Sequence, residues 1–282
     1  MKKMFTIVLA ALMVAALFAG CGSSTSETKA PETTAAPAAT AAAETATPAE
    51  TEAAAPAFTT IEAGKLIMST NAAFPPYEMV ADDGSFEGID VEIAGAIAKK
   101  LGLELVVDDM DFDAALLAVQ QGTSDIVMAG VTVNEDRKLV MNFSDTYSKG
   151  VQVVIVKEGS DVTLDNLGDQ MIGTQRGTTG YIYTSGDYGE DHVTAYDNGA
   201  SAVQALMNGQ VDCVVIDSAP AQAFVEANPG LTILDTEYTS EDYAIGMNKD
   251  NTALLEAVNG ALKELTEDGT IPAIVEKYIP TK

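Results

Sequence analysis

Two stretches of the chain, AALLAVQQGTSDIVMAG at 114–130 and SAVQALMNGQVDCVVID at 201–217, repeat one pattern. In each stretch a helix with an apolar face stops at a glycine, an aspartate follows three residues later, and an apolar strand comes next. Gly122 and Gly209 suit the left-handed backbone conformation that often ends a helix. The repeat therefore predicts two lobes, each built from alternating helices and strands.

The sequence on either side of the first stretch continues this alternation. Strands are predicted for KLIMST at 65–70 and LELVV at 103–107, and amphipathic helices for 89–102 and 112–122. Strands separated by helices indicate right-handed βαβ units and a mainly parallel sheet. In open α/β sheets, ligands bind beyond the carboxyl ends of the strands. In this chain those ends are expected at 129–132 and at Asp217.

Two β-rich segments, 147–159 and 237–247, are predicted to cross between the lobes. The helical pattern within 251–269 then returns the chain to the first lobe. Two extended crossings make a hinge, and a hinge between lobes makes a cleft that can close. The predicted boundaries are 58–150 plus 244–282 for the first lobe and 151–243 for the second.

The amino terminus has the pattern of a secretory signal. Two lysines precede an apolar run at 4–19, which is shorter than the ~20 residues that a membrane-spanning helix needs. Residues 1–20 are therefore predicted to be a signal peptide. Cys21 follows small residues in a way that resembles a lipoprotein signal, so we expect it to be lipidated; the alternative is a plain signal with an incidental cysteine.

The segment at 21–57 is rich in alanine, threonine, proline and glutamate, and after Cys21 it has no aromatic, Ile, Leu or Val residue. Such a composition cannot bury enough apolar surface to fold, so it predicts a disordered tether. A lipidated cysteine followed by a tether predicts a folded body outside the cell membrane and anchored to it. Cys213 then has no partner in the body and is interpreted as a small buried hydrophobe.

The net charge of the chain is −27, from 15 basic and 42 acidic residues. This excess of negative charge argues against binding to nucleic acid and against direct docking on anionic lipid headgroups. It also means that any bound anion must be held by a local site.

Arg137 is the candidate for that local site. It follows Asn134, a good helix N-cap, and it lies in the first turn of the helix, where a cation is electrostatically unfavourable. Helix stability therefore does not explain it. The planar guanidinium makes two parallel hydrogen bonds to a carboxylate. The alternative is a surface arginine that pairs with Glu135 or Asp136.

Further candidates lie near the predicted strand ends. The loop GTTG at 177–180 opens a helix, and its backbone amides and threonine hydroxyls could hold an anion, although an ordinary turn with a threonine cap fits as well. Asp217 could receive an ammonium group by charge-assisted hydrogen bonds or cap the helix that follows, and both roles could coexist. Phe74 and Phe112 are predicted in loops, where they either sandwich a ligand side chain or pack locally.

Six segments in order support a resemblance to a known family: NAAFPPYEM, GSFEGIDVEIAGAIAKKLG, the stretch at 110–147, IGTQRGTTG, LMNGQVDCVVIDSAPA, and the stretch from Tyr243 to Tyr278. From about residue 65 to 278, the chain resembles the extracellular solute-binding proteins of ABC transporters for polar amino acids. The resemblance implies an α/β, two-lobed type II periplasmic-binding fold, with a two-stranded hinge and a ligand cleft between the lobes.

The resemblance also implies where the two charged ends of an amino acid would bind. Arg137 would hold the carboxylate, with help from Thr132 and, across the cleft, from Thr179. The ammonium group would be held by Asp217 and by the carbonyl of Gly130.

For the ligand side chain, the resemblance implies stacking on Phe74 and Phe112 and a pocket lined by Asn71 and Gln175. Members that bind basic side chains often have an acidic residue where this chain has Asn71. The strong negative charge and the lack of a basic residue at Asn71 or Gln175 disfavour acidic ligands. Neutral polar amino acids, such as glutamine or cystine, are therefore favoured.

The implied function is to bind a free polar amino acid outside the cell and to deliver it to an ABC importer permease and its ATPase, as a monomer without cofactor or metal. One alternative is an amino-acid sensor that presents its closed lobes to a receptor. Another is a dehydratase-like enzyme on the same fold. The chain offers little for catalysis, because its one histidine, His192, lies away from every candidate; no role is assigned to Arg176.

Overall fold

The computed structural model describes residues 58–280. The predicted signal peptide at 1–20, the lipidated Cys21 and the tether at 21–57 lie outside the described residues. Within 58–280, no helix combines the length and the apolar character that crossing a membrane requires.

The first part of the chain alternates short strands and helices. Its elements are β1 (Lys65–Thr70), β2 (Ala73–Phe74), β3 (Glu78–Val80), β4 (Phe86–Glu87), α1 (Ile89–Lys100), β5 (Glu104–Asp109), α2 (Phe112–Gln121), β6 (Ile126–Val127) and α3 (Glu135–Val140).

A long strand then leads to the second part, and a second long strand leads back. The elements are β7 (Met141–Lys157), β8 (Ile172–Gln175), α4 (Thr179–Tyr188), β9 (Val193–Tyr196), α5 (Gly199–Met207), β10 (Cys213–Asp217), α6 (Ser218–Ala227), β11 (Leu231–Ile233), β12 (Thr239–Asn248), α7 (Thr252–Glu267) and α8 (Thr270–Tyr278). Single 3₁₀ turns lie at Leu164–Asp169 and Glu190–His192.

One mixed sheet connects the two parts, with the strand order β5-β1-β6-β12-β7-β10-β8-β9 and with β11 paired to β7. Strands β5, β1 and β6 are parallel, as are β10, β8 and β9. We call the elements around the first set lobe 1 and those around the second set lobe 2. The central strands β12 and β7 are antiparallel to each other; β12 is also antiparallel to β6, and β7 to β10. The sheet is therefore mixed, whereas the sequence predicted a mainly parallel sheet.

The two central strands are the predicted crossings. In β7, Met141 pairs with Asn248 near lobe 1, whereas Gln152 pairs with Asp217 of β10 near lobe 2. In β12, Gly246 pairs with Val127 of β6. The prediction of a two-lobed α/β fold with a two-stranded connection is confirmed, while the residue boundaries of the lobes stay a prediction.

Local sequence signals account for where several helices begin and end. Gly122 ends α2 with a φ of 72°, and Gly209 has a φ of 71° one residue after the C-cap of α5. The side chain of Asn134 accepts a hydrogen bond from the backbone N–H of Arg137 at 2.8 Å, which caps α3 as predicted. The two glycines therefore fix where α2 and α5 end, and the Asn134 cap fixes the start of α3 and with it the position of Arg137.

Helix α7 packs back on lobe 1, where it contacts α1 and β7. Its apolar face contributes Leu254, Val258 and Leu262 to the same buried core as Ile93 and Ile97 of α1. This packing confirms the predicted return of the chain. The thiol of Cys213 is fully buried in lobe 2, and burial raises its pKa to about 12, so it is an unreactive core residue.

Candidate functional site

A cleft between the lobes lies beyond the carboxyl ends of the parallel strands. It has an empty volume of about 300 Å³, including the part open to solvent, and its lining contains all nine ligand-binding candidates from the sequence: Asn71, Phe74, Phe112, Gly130, Thr132, Arg137, Gln175, Thr179 and Asp217. The structure therefore brings these residues together, although their roles toward a ligand stay predictions. Glu78, Ala129 and Thr178 also line the cleft.

Arg137 is buried, with 7 % of its surface exposed. Its guanidinium donates to the carbonyl of Thr132 at 2.8 Å and, across the cleft, to the carbonyl of Gly177 at 3.1 Å. It lies 5.4 Å from the centre of the Phe112 ring. The alternative of a surface arginine paired with Glu135 or Asp136 is wrong, because Arg137 is buried and lies more than 4.0 Å from both carboxylates; Glu135 pairs with Lys138 instead, at 2.9 Å.

The guanidinium of Arg137 lacks a direct counterion. No carboxylate of residues 58–280 lies within 4.0 Å of it, and burial lowers its pKa, although arginine stays protonated. The charges of Glu241 and Asp217 act on the guanidinium from beyond 4.0 Å and do not outweigh its burial, so the buried cation is only partly compensated. The site therefore favours an anion next to Arg137.

The N-terminal end of α4 faces this cleft from lobe 2. The hydroxyl of Thr178 accepts from the backbone N–H of Tyr181 at 3.4 Å, so the alternative of a threonine cap is correct for Thr178. Within the described residues, the backbone N–H groups of Thr132 and Thr179 donate to no acceptor. Free N–H groups at a helix start favour a bound anion.

The hydroxyls of Thr132 and Thr179 face a carboxylate that the sequence analysis did not consider. They lie 3.4 Å apart, and both donate to Oε2 of Glu241 on β12, at 3.1 Å and 3.0 Å. Gln152 of β7 donates to the same oxygen at 2.9 Å. A polar residue within the apolar run VQVVIV at 151–156 was the available signal for Gln152.

Asp217 ends β10 and is buried. Its Oδ2 accepts from the amide of Gln152 at 2.8 Å, and the hydroxyl of Tyr243 also bonds the carboxyl, which can still accept further hydrogen bonds. Asp217 is the N-cap residue of α6, as the alternative predicted, but its side chain makes no capping hydrogen bond. Burial first, and then the charge of Glu241, raise the pKa of Asp217 to about 7. An ammonium group beside Oδ1 would fill one of the remaining acceptor positions of the carboxyl and favour its ionised form.

Gly130 lines the cleft, and its backbone has a left-handed conformation with a φ of 55°. Its N–H donates to Oδ2 of the fully buried Asp90 at 2.9 Å. A Cβ at this position would lie 2.8 Å from the ring of Phe74, so the close approach requires glycine. Burial raises the pKa of Asp90 to about 6.

The two aromatic candidates belong to regular elements, whereas the sequence had predicted them in loops. Phe74 lies in β2 because its segment pairs with β3, and Phe112 opens α2 directly after the N-cap residue Asp111. Both rings are buried and line the cleft. Asn71 and Gln175 bond to each other across the cleft at 2.9 Å.

Glu78 is a further lining residue that the sequence analysis missed. It is fully buried in β3, where its carboxyl bonds the buried carboxyl of Asp90. Burial, followed by the charge of Asp90, holds the pKa of Glu78 well above its usual range. Its position after Pro-Pro-Tyr gave no periodic signal, because β2, β3 and β4 are only two or three residues long.

The two residues to which the sequence assigned no role, His192 and Arg176, lie away from the cleft lining. His192 ends a 3₁₀ turn at the surface of lobe 2, and Arg176 forms an exposed pair with Asp197 at 3.3 Å. Across 58–280, no group of three or more His, Cys, Asp or Glu side chains is placed to hold a metal ion.

A two-lobed α/β fold with a guanidinium and a carboxyl group in the cleft between its lobes defines a ligand-binding protein. The chain belongs to the bacterial extracellular solute-binding proteins, family 3, whose model matches residues 66–281. The known two-lobed structures similar to this chain share the type II periplasmic-binding fold.

Named relatives span most of the chain. It is 34 % identical over 235 residues to the probable histidine-binding protein of Neisseria gonorrhoeae, covering 80 % of this chain and 87 % of the relative. It is 30 % identical over 221 residues to the L-cystine-binding protein TcyJ of Escherichia coli strain K12, covering 77 % and 83 %. Among solved structures, an ancestral arginine-binding protein bound to glutamine matches at 39 % identity, with a TM-score of 0.74 and coverage of 77 % and 99 %.

Proposed function

We propose that this protein binds a free amino acid outside the cell and delivers it to the permease of an ABC importer by closing its lobes around it. The observation that carries the proposal is the cleft itself, in which a buried guanidinium with no carboxylate within 4.0 Å lines the same space as the buried carboxyl of Asp217, which can accept further hydrogen bonds. An α-amino acid carries one group that matches each of them. Names of relatives that include amino-acid-binding proteins support the same ligand class.

The carboxylate of the ligand would bind Arg137 and the free backbone N–H groups of Thr132 and Thr179. The ammonium group would bind Asp217 and the carbonyl of Gly130. The contacts come from both lobes, so the ligand binds the closed arrangement better than the open one and shifts the population toward closure.

The side chain of the ligand would lie between Phe74 and Phe112, near the amides of Asn71 and Gln175. Glu78 adds a buried carboxyl to the lining of the cleft, which favours side chains that carry N–H donors over acidic ones. The preference for a neutral side chain rested on Asn71 and the lack of basic residues and stays a prediction. A cationic ligand side chain beside Glu78 would favour the ionised form of the Glu78 carboxyl.

A thermal-shift screen of the full set of amino acids and cystine tests this proposal. A ligand that binds only the folded protein raises the melting temperature. We expect polar amino acids with side-chain N–H groups to give shifts, and glutamate and aspartate to give none. The largest shift from arginine would contradict the neutral preference alone, whereas no shift from any amino acid would contradict the proposed function.

We also propose that the protein is held at the outer face of the cell membrane by a lipid on Cys21. The signal pattern at 1–20 and the following cysteine support this anchor. Cys21→Ala should move the protein from the membrane fraction to the medium, as judged by immunoblotting of fractionated cells. Retention of the variant in the membrane fraction would contradict lipid anchoring at this residue.

A further inference from the structure

Glu241 connects three separate parts of the fold through one atom. Its Oε2 accepts hydrogen bonds from Thr132 in the loop after β6, from Thr179 at the start of α4, and from Gln152 in the crossing strand β7. These donors lie 3.1 Å, 3.0 Å and 2.9 Å away. Glu241 itself lies in the other crossing strand, β12, and only 7 % of its surface is exposed.

Two of the three donors come from opposite lobes. The hydroxyls of Thr132 and Thr179 are 3.4 Å apart, so they can share one carboxylate oxygen only while the lobes are in contact at this point. Opening the cleft would separate the threonines and leave at most one of them on Glu241. Hydrogen bonds to an ionised acceptor are stronger than neutral ones, and more so away from water.

The same geometry limits what the two hydroxyls can do for a ligand. A threonine hydroxyl has one proton to donate. While both protons point at Glu241, a bound carboxylate is left with the guanidinium of Arg137 and with backbone N–H groups. The hydroxyls therefore serve the contact between the lobes, and Glu241 acts through them without touching the ligand.

We propose that Glu241 is a positioning residue that holds lobe 1 and lobe 2 together in the closed arrangement. The carboxylate shifts the equilibrium between open and closed lobes by the bonds that exist only in the closed form. This role does not depend on which solute is bound, so it stands apart from the proposed function.

The structure also predicts which substitution preserves the contact. The hydroxyl of Tyr183 also bonds the Glu241 carboxyl, and because a hydroxyl can accept as well as donate, it tolerates an amide NH₂ in place of Oε1. Glu241→Gln keeps an acceptor for both threonines, whereas Glu241→Ala removes it. The next residue, Asp242, offers a matched control because its side chain is about half exposed and approaches only Lys149, at 4.0 Å.

Amide hydrogen exchange of the full-length protein, purified free of amino acids and followed by mass spectrometry, tests the proposal. In Glu241→Ala, exchange should be faster by about tenfold or more in peptides covering 129–137 and 177–183, the change expected for losing a hydrogen bond to a charged group. Peptides from α7 should exchange at the wild-type rate. Asp242→Asn should match wild type throughout, and Glu241→Gln should lie close to it.

Three results would overturn the proposal. The first is unchanged exchange of the cleft peptides in Glu241→Ala. The second is equal acceleration in α7, which would mean general destabilisation. The third is a Glu241→Gln variant that exchanges as fast as Glu241→Ala, because the retained acceptor would then have no effect. The protein is measured without ligand, so failure of amino-acid binding would leave these outcomes unchanged.

Discussion

Replacing Arg137 by alanine is the perturbation that reaches furthest into the proposed site. The side chain is buried and its guanidinium makes hydrogen bonds of 2.8 Å and 3.1 Å to carbonyls on both sides of the cleft. A ligand carboxylate bound there would form a buried, hydrogen-bonded charge pair. Removing one partner of such a pair costs roughly 3–5 kcal/mol. The expected loss of affinity is therefore about two to four decades.

The chain offers a matched control for this variant. Arg176 is its other arginine, and it forms only an exposed pair with Asp197, of the kind that contributes little. Arg176→Ala should bind like the wild type. Isothermal titration calorimetry, with an amino acid that gave a thermal shift, measures both variants, and circular dichroism checks that Arg137→Ala still folds. Equal affinities for Arg137→Ala and wild type, in folded protein, would refute the assignment of the carboxylate site.

Two further predictions concern the ammonium side of the cleft. The raised pKa of Asp217, about 7, means that its carboxyl is increasingly protonated below that pH, so affinity should fall by about tenfold per pH unit as the pH is lowered from 7. Asp217→Asn should bind more weakly at pH 8 and lose most of this slope in calorimetry from pH 5 to 8.5; a flat wild-type profile would contradict the role of Asp217. Gly130→Ala adds a left-handed backbone cost of roughly 1–2 kcal/mol and a Cβ 2.8 Å from Phe74, so it should lower both the melting temperature and the affinity. Gly84→Ala, with a φ of 84° and no atom within 4 Å, has the backbone cost alone, so its affinity should be unchanged. An equal loss of affinity in both variants would contradict the claim that contact between the new Cβ and Phe74 weakens binding.

Much of the fold could be predicted because its signals are local and periodic. KLIMST at 65–70 coincides with β1, and the helix predicted at 89–102 differs from α1 only at its end. The glycine after α2 and the N-cap of α3 were readable in the same way. The antiparallel direction of the crossing strands was not, because periodicity does not tell which strands become neighbours.

The candidate site likewise contains residues that local sequence signals predicted and residues that they did not. Strand ends and a helix start pointed to Arg137 and Asp217, because a charge at such a position has few structural explanations. Glu241 was missed because its contact with Thr132 joins residues that are 109 positions apart. Glu78 was missed for the same reason, since its burial depends on the packing of three very short strands against the cleft.

The most direct test of the central claim is a crystal structure of the protein with its amino acid bound. The account predicts that the carboxylate of the ligand lies within hydrogen-bond distance of the guanidinium of Arg137 and that its ammonium group lies against Oδ1 of Asp217. A bound solute that lacks either charged group, or an amino acid held with both of these side chains turned away from it, would contradict the account.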